Sequence, residues 1–402
     1  MRDPLEEAGT AVPRGAASRF LLAFVAGLAA LAAFVPGSRA TLGIVLGIIL
    51  MIVVHEAGHL VAAKWAGMKA TEFFVGFGPR LWSFRRGETE YGVKAVPLGG
   101  YVRIIGMSNL EDVPDADEAR TFRAAPFGKR LVVILAGVTA NVLVALILFT
   151  AVALTSGVPH LSTRLSAVVV NSAASEAGFQ PGDRIVSIDG QHVTGWDDMK
   201  SKVEARGGVE TTFTIRRAGQ RMDVVATPRV TGGQGFLGVS PSVVVRHVTV
   251  VGAIGEAFTS VGDVASQTAT GIVHWFSPSG LAENAKRVVS APAPGSAADA
   301  TRPRSLVGII DIGSQLHGVA DVVTLLALFN VAIALFNLLP LLPLDGGHGA
   351  VVLYEWVATR IRRRRVQVDY RKLMPAAVVV LAFLMFFAVT IMFQDVRDIA
   401  RR

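Results

Sequence analysis

Apolar positions in this chain come in blocks rather than in stripes. Leu42 to Ala63, Leu131 to Leu154, Val319 to Leu344 and Pro375 to Phe393 each reach the roughly 20 residues a helix needs to cross the hydrocarbon core of a bilayer. A fifth run, Phe20 to Val35, follows a polar N-terminus and ends at Pro-Gly-Ser-Arg-Ala. It reads as an additional span, with a signal peptide as the other reading. Between the first two long runs lies a stretch rich in Lys and Arg, within which Leu81 to Phe84 and Tyr91 to Leu98 flank the turn-like Arg86-Gly87-Glu88, a hairpin pattern. Thr359 to Lys372, "TRIRRRRVQVDYRK", is a second basic block between the last two runs. Basic loops stay cytoplasmic, so both blocks belong inside, and the segment between Leu154 and Val319 belongs outside.

That outer segment changes period. Strand-like alternation at "LSAVVV" is followed by a short helix at Ala173 to Ala177, a turn at Gly182-Asp183 and a strand from Arg184 to Asp189. A helical stretch from Asp197 to Ala205 and two strands joined at Ala218-Gly219 complete it. The order, with the phrase Ala-Gly-Phe-Gln-Pro-Gly-Asp-Arg-Ile, resembles a bacterial PDZ domain, which implies binding of peptide termini by strand addition. A plain β-rich cap is the alternative. Val251 to Phe276 then has a helical apolar period suited to a membrane surface, and "SAPAPGSAADATRPRS" reads as a flexible connector.

Composition agrees with a multi-pass membrane protein: 51% of the 402 residues are hydrophobic and 17% charged. The net charge of +8 is concentrated in the two loops, so it speaks of topology, and no nucleic-acid partner is expected. Without cysteine, neither disulfides nor thiolate ligands are available, and a metal would be held by His and carboxylates.

The first long run contains the chemistry. In "IVVHEAGHLV", Ile52 to Val61, His55 and His59 are four residues apart and share one helix face. Glu56 lies about 100° around the helix, within reach of a water on a shared metal without being a ligand. Ionisable groups inside a span mark function or interhelical hydrogen bonding. Gly58 permits close approach of substrate or of another helix. Zinc needs a further protein ligand and an open position. Asp345, at the cytoplasmic end of the run ending "LFNLLPLLPLDGGHGA", suits that role; His348 is the rival, and capping before Gly346-Gly347 is a structural alternative. Asn337, Pro340 and Pro343 interrupt this run, and Asn337 suits an oxyanion, a substrate backbone or a neighbouring helix.

His55-Glu56-x-x-His59, Asn337-Leu-Leu-Pro and Leu344-Asp345-Gly346, with a PDZ-like insert between, resemble the site-2 protease family of intramembrane zinc metalloproteases, most closely its actinobacterial single-PDZ members. The resemblance covers about Leu42 to Phe393. It implies Zn2+ on His55, His59 and Asp345, Glu56 as general base, Asn337 as a substrate or transition-state contact, and a membrane-associated β-hairpin whose strand around Gly99 and Gly100 meets substrate. It also implies a place in the bacterial cytoplasmic membrane and substrates with transmembrane helices, shortened beforehand by another protease, anti-sigma factors among them. The N-terminal extension departs from the family pattern.

The expected fold is a polytopic α-helical membrane protein with an inserted α+β PDZ-like domain and a membrane-associated β-hairpin. Its parts are an extension (1–40), a first core helix (41–63), a hairpin region (64–130), a second core helix (131–155), the PDZ-like domain (160–232), a connector with an amphipathic helix (233–318), a third core helix (319–347) and a C-terminal helix (374–394). The expected activity is that of a zinc metalloendopeptidase cutting within the membrane. The alternative is a PDZ-bearing scaffold with a structural or inactive metal site.

Overall fold

The computed structural model describes residues 38–289, 316 and 318–400; the run Phe20 to Val35 and the flexible connector Ser290 to Ser305 lie outside them. The chain divides into two compact units, one of residues 153–252 and one built from the segments on either side.

Long apolar runs without internal breakers form long helices in the flanking unit. Helix α1 covers Ser38–Trp65, and α3 covers Phe127–Ser156 after a short helix α2, Asp115–Glu118. The remaining long helices are α6 (Val250–Phe276), α7 (Pro278–Val289), α8 (Val319–Asn337), α9 (Asp345–Arg362) and α10 (Tyr370–Ala400), whose labels leave α4 and α5 to the inserted unit. Among the described residues, α1, α3, α8 and α10 are long and apolar enough to cross a membrane.

The third run departs from expectation. Instead of one helix through 347, α8 stops at Asn337 and α9 starts at Asp345. Pro340 and Pro343 lack the N–H that a continuing helix needs and crowd its preceding turn. The intervening residues form tight turns, with Leu341 N–H on the Leu339 carbonyl (2.7 Å) and Leu344 N–H on the Leu341 carbonyl (2.8 Å). Asp345 therefore opens a new helix.

Two buried clusters hold this unit together. One joins Leu60 and Ala63 of α1 to Val133 and Ile134 of α3, Val352 of α9, and Phe122. The other joins Ala145 and Phe149 of α3 to Ala327 and Val331 of α8 and Ala257 of α6. The α6 stripe of Ala257, Val261, Val264 and Ala265 packs on protein, while Val251, Ile254, Phe258 and Val273 of the same helix are exposed.

The expected hairpin is longer than its alternation suggested: β1 covers Ala70–Arg86 and β2 covers Thr89–Ile104. Both strands bend, so that Phe73 to Val75 pairs on one side with Val102 to Gly100 and on the other with Tyr91 to Val93. The stretch 100–104 pairs only with the start of β1, which makes it an edge.

The inserted unit is an antiparallel sheet over its own core. Strands β3 (Val158–Val168), β4 (Arg184–Ile188), β6 (Thr211–Arg217), β7 (Gln220–Ala226) and β10 (Val239–Arg246) run in the order β10-β3-β4-β6-β7, with β5 (Gln191–His192) on β4. Helices α4 (Ala173–Glu176) and α5 (Trp196–Glu204) and the small pair β8 (Arg229–Thr231) and β9 (Gln234–Phe236) complete it. Leu165, Phe179, Ile185, Met199, Phe213, Ile215 and Leu237 form the core. The unit continues past the expected limit of 232, because β10 pairs with β3. Its exposed Val243, Val244 and Val245 mask the alternation from which a strand is read. Asp183 is buried and accepts from the Arg217 guanidinium (2.8 and 2.7 Å) and from Gln180 N–H (2.8 Å). Burial acts to raise its pKa, but these donors outweigh burial and hold it below the ordinary carboxylate value.

Candidate active site

The four-residue spacing in α1 turns His55 and His59 to one side, and both are buried. Their Nε2 atoms are 3.3 Å apart. Asp345 Oδ2, from the first residue of α9, is 3.2 Å from each. His59 Nδ1 donates to the Val133 carbonyl of α3 at 2.8 Å. That bond fixes the tautomer, so the His59 Nε2 lone pair faces the other two atoms. A carboxylate oxygen and an imidazole lone pair crowded together repel unless a proton or a cation sits between them.

The spacing suits a metal. Ligands about 2.0–2.1 Å from a tetrahedral zinc stand about 3.3–3.4 Å from one another, close to the edges of this triangle. Among the described residues, His55, His59 and Asp345 form the one cluster of three or more His, Asp and Glu with ligand atoms this close together. His348 is turned elsewhere, with Nδ1 3.4 Å from the Tyr370 hydroxyl.

Glu56 stands beside the triangle and lines a cavity of about 250 Å³ with His55, Asp345, Asn337, Asn141, Gly99 and Gly100. Asn337 Nδ2 is 3.4 Å from His55 Nε2. Gly100 lies on the edge stretch of β2, where a Cβ would be 3.3 Å from Glu56 Cγ. The structure thus gathers His55, Glu56, Asn337, Asp345, Gly99 and Gly100 around one cavity, with His59 beside it in the triangle, and leaves His348 apart. A larger cavity of about 430 Å³ between α9 and α10 is lined mainly by apolar side chains and includes none of these groups.

Close helix crossings set the geometry. A Cβ on Gly58 would be 2.6 Å from the Ala136 carbonyl oxygen, so Gly58 serves helix packing rather than substrate. Gly137 of α3 is tighter still: its Cβ would be 2.4 Å from His59 Nε2 and 2.7 Å from His55 Cε1. At one end of α3, Arg130 pairs with Glu355 of α9 at 2.8 Å, both nearly buried, which ties the helix that carries Asp345 to the helix that orients His59.

Gly137 and Asn141 escaped the sequence reading. The available signal was a glycine and an amide four residues apart inside "LVVILAGVTANVLVALIL", a run with little other polarity.

Three converging metal-ligand side chains with an adjoining carboxylate, set among membrane-length helices, make a membrane metallopeptidase site. Comparison with known proteins gives the same class: the sequence profile of peptidase family M50 matches residues 43–386. The chain belongs to that family, the site-2 proteases. It is 34% identical over 380 residues to the zinc metalloprotease Rip1 of Mycobacterium tuberculosis, which covers 84% of this chain and 92% of the relative. Rip1 of Mycolicibacterium smegmatis is 33% identical over the same shares. A putative zinc metalloprotease of Mesorhizobium japonicum is 31% identical over 353 residues, 80% of this chain and 90% of the relative.

Proposed function

We propose that the protein is a zinc endopeptidase that cuts a peptide bond within or beside a substrate's membrane-spanning helix. His55, His59 and Asp345 hold the ion in this reading, and Glu56 is the general base. The carrying observation is the 3.2–3.3 Å triangle of Nε2, Nε2 and Oδ2 atoms. Zinc bound there supplies Lewis-acid polarisation of a water molecule and of the scissile carbonyl.

The chain's own groups do the rest. Glu56 follows a ligand by one residue, so its carboxylate takes the water proton and returns it to the leaving amine nitrogen. Asn337 Nδ2, beside His55, donates to the oxygen that gains negative charge. A helical substrate has its amides bonded internally and must unwind before attack. The edge stretch 100–104 offers main-chain partners to the unwound segment, and Gly99 and Gly100 leave room for it beside Glu56.

The wider setting follows from charge and topology. The basic loops favour a cytoplasmic hairpin region and an extracytoplasmic unit 153–252, in a bacterial cytoplasmic membrane. That unit, read as a PDZ-like domain receiving peptide termini, acts as a size filter for substrates already shortened outside the membrane. Single-span regulators such as anti-sigma factors fit these requirements. The test is a comparison of membrane proteomes from cells carrying wild type or Glu56→Gln. Truncated single-span proteins should accumulate in the variant; identical proteomes would sink the proposal.

A further inference from the structure

Between Leu131 and Leu154, helix α3 carries three polar side chains, Thr139, Asn141 and Thr150. Both threonines are satisfied locally, donating to the carbonyls of Leu135 (2.8 Å) and Leu146 (2.7 Å) one turn back. Asn330 in α8 is satisfied at its donor end only, with Nδ2 on the Leu326 carbonyl at 2.8 Å and Oδ1 unpaired. Asn141 does not. It is fully buried, and neither Nδ2 nor Oδ1 has a hydrogen-bond partner. Its side chain lines the cavity shared by Glu56, Gly100, Asn337 and Asp345, one turn along α3 from the glycine that touches both histidine rings.

A buried donor and acceptor left unpaired cost stability, and an apolar side chain of similar size would avoid that cost. Interhelical bonding, the usual use of an amide in a span, is absent here. A carboxamide carries one carbonyl acceptor and N–H donors, the same pair of functions that a peptide group presents. An extended main chain, whose carbonyls and N–H groups are free, can satisfy both ends of Asn141 at once.

We propose that Asn141 is a substrate-binding residue. Its Nδ2 donates to a substrate carbonyl and its Oδ1 accepts from a substrate N–H, on main chain next to the bond that is cut. The assignment rests on the endopeptidase reading and divides the labour between two amides. Asn337 lies against His55, at the reacting atoms. Asn141 grips the chain beside them and replaces hydrogen bonds that the substrate helix gives up on unwinding. Recognition of this kind is indifferent to substrate side chains.

The test uses full-length protein in detergent micelles: wild type, Asn141→Leu and Asn141→Ala. Two probes are titrated, acetohydroxamate, which offers only a metal-chelating group, and a hydroxamate carrying a three-residue peptide backbone. Both variants should bind acetohydroxamate as wild type does and lose about tenfold or more in affinity for the peptidyl compound. Asn141→Leu should melt no lower than wild type. Wild-type affinity of both variants for the peptidyl hydroxamate would overturn the proposal. So would an equal loss of both probes with a lowered melting temperature, which is the signature of a structural role. A wild-type protein that binds the peptidyl compound no better than acetohydroxamate would overturn the endopeptidase reading as well.

Discussion

Gly137→Ala is the smallest change that should dismantle the site. The added methyl would stand 2.4 Å from His59 Nε2, 2.7 Å from His55 Cε1 and 2.9 Å from His55 Nδ1. Non-bonded heavy atoms settle at about 3.5–4.0 Å, so the rings must retreat by about 1 Å. Metal sites keep their ligand distances within about 0.2 Å, and the triangle cannot absorb such a shift. Loss of outer hydrogen-bond partners alone lowers metal affinity about 10–100-fold; direct displacement of two ligands should cost about 100-fold or more, near 2.8 kcal/mol. Alanine favours a helix over glycine by about 1 kcal/mol, so the helix itself is not weakened. The assay is a zinc titration against a competing chelator, with Gly128→Ala as control, since a Cβ there meets nothing within 4 Å. Unchanged zinc affinity in Gly137→Ala would refute the placement of the two rings.

Two other predictions test the scaffold. Arg130→Ala leaves Glu355 nearly buried without its cation and should destabilise the membrane unit by about 3 kcal/mol, read as a lowered melting temperature; Arg130→Met with Glu355→Leu should recover part of the loss. In the inserted unit, the folded-state pKa of Asp183 is depressed, so its contribution is complete above the unfolded value of about 3.9 and disappears as the pH falls through the folded value. Urea titrations of a 153–252 fragment should show that acid loss, and Arg217→Met should flatten it while costing about 2–3 kcal/mol near neutrality; an unchanged acid profile would contradict the pairing.

What the sequence reveals about this site depends on how far apart the partners lie along the chain. His55, Glu56 and His59 are legible because a single helix sets their geometry. Asp345 is legible for another reason: a carboxylate at the end of an apolar run is costly unless used. The break at Asn337 was harder. Pro340 and Pro343 announced an interruption, but only the turns they impose show that Asp345 begins a helix rather than ending one. Gly137 and Asn141 carry only their spacing as a local signal, since a glycine or an amide in an apolar helix acquires meaning from what crosses it. For Gly137, that is a pair of rings about eighty residues earlier in the chain. The same applies to β10, whose exposed valines make sense only once β3 is beside them.

The central claim is that one triad binds zinc and that Glu56 makes it cut inside the membrane. The direct measurement is zinc content and product mass for purified protein in liposomes, with a single-span protein that accumulates in Glu56→Gln cells as substrate. Wild type should carry one zinc and release a fragment ending within the spanning segment. Glu56→Gln should keep its zinc and leave the substrate whole, and Asp345→Ala should lose the zinc. Cleavage by Glu56→Gln at the wild-type rate, or full zinc in Asp345→Ala, would contradict the account.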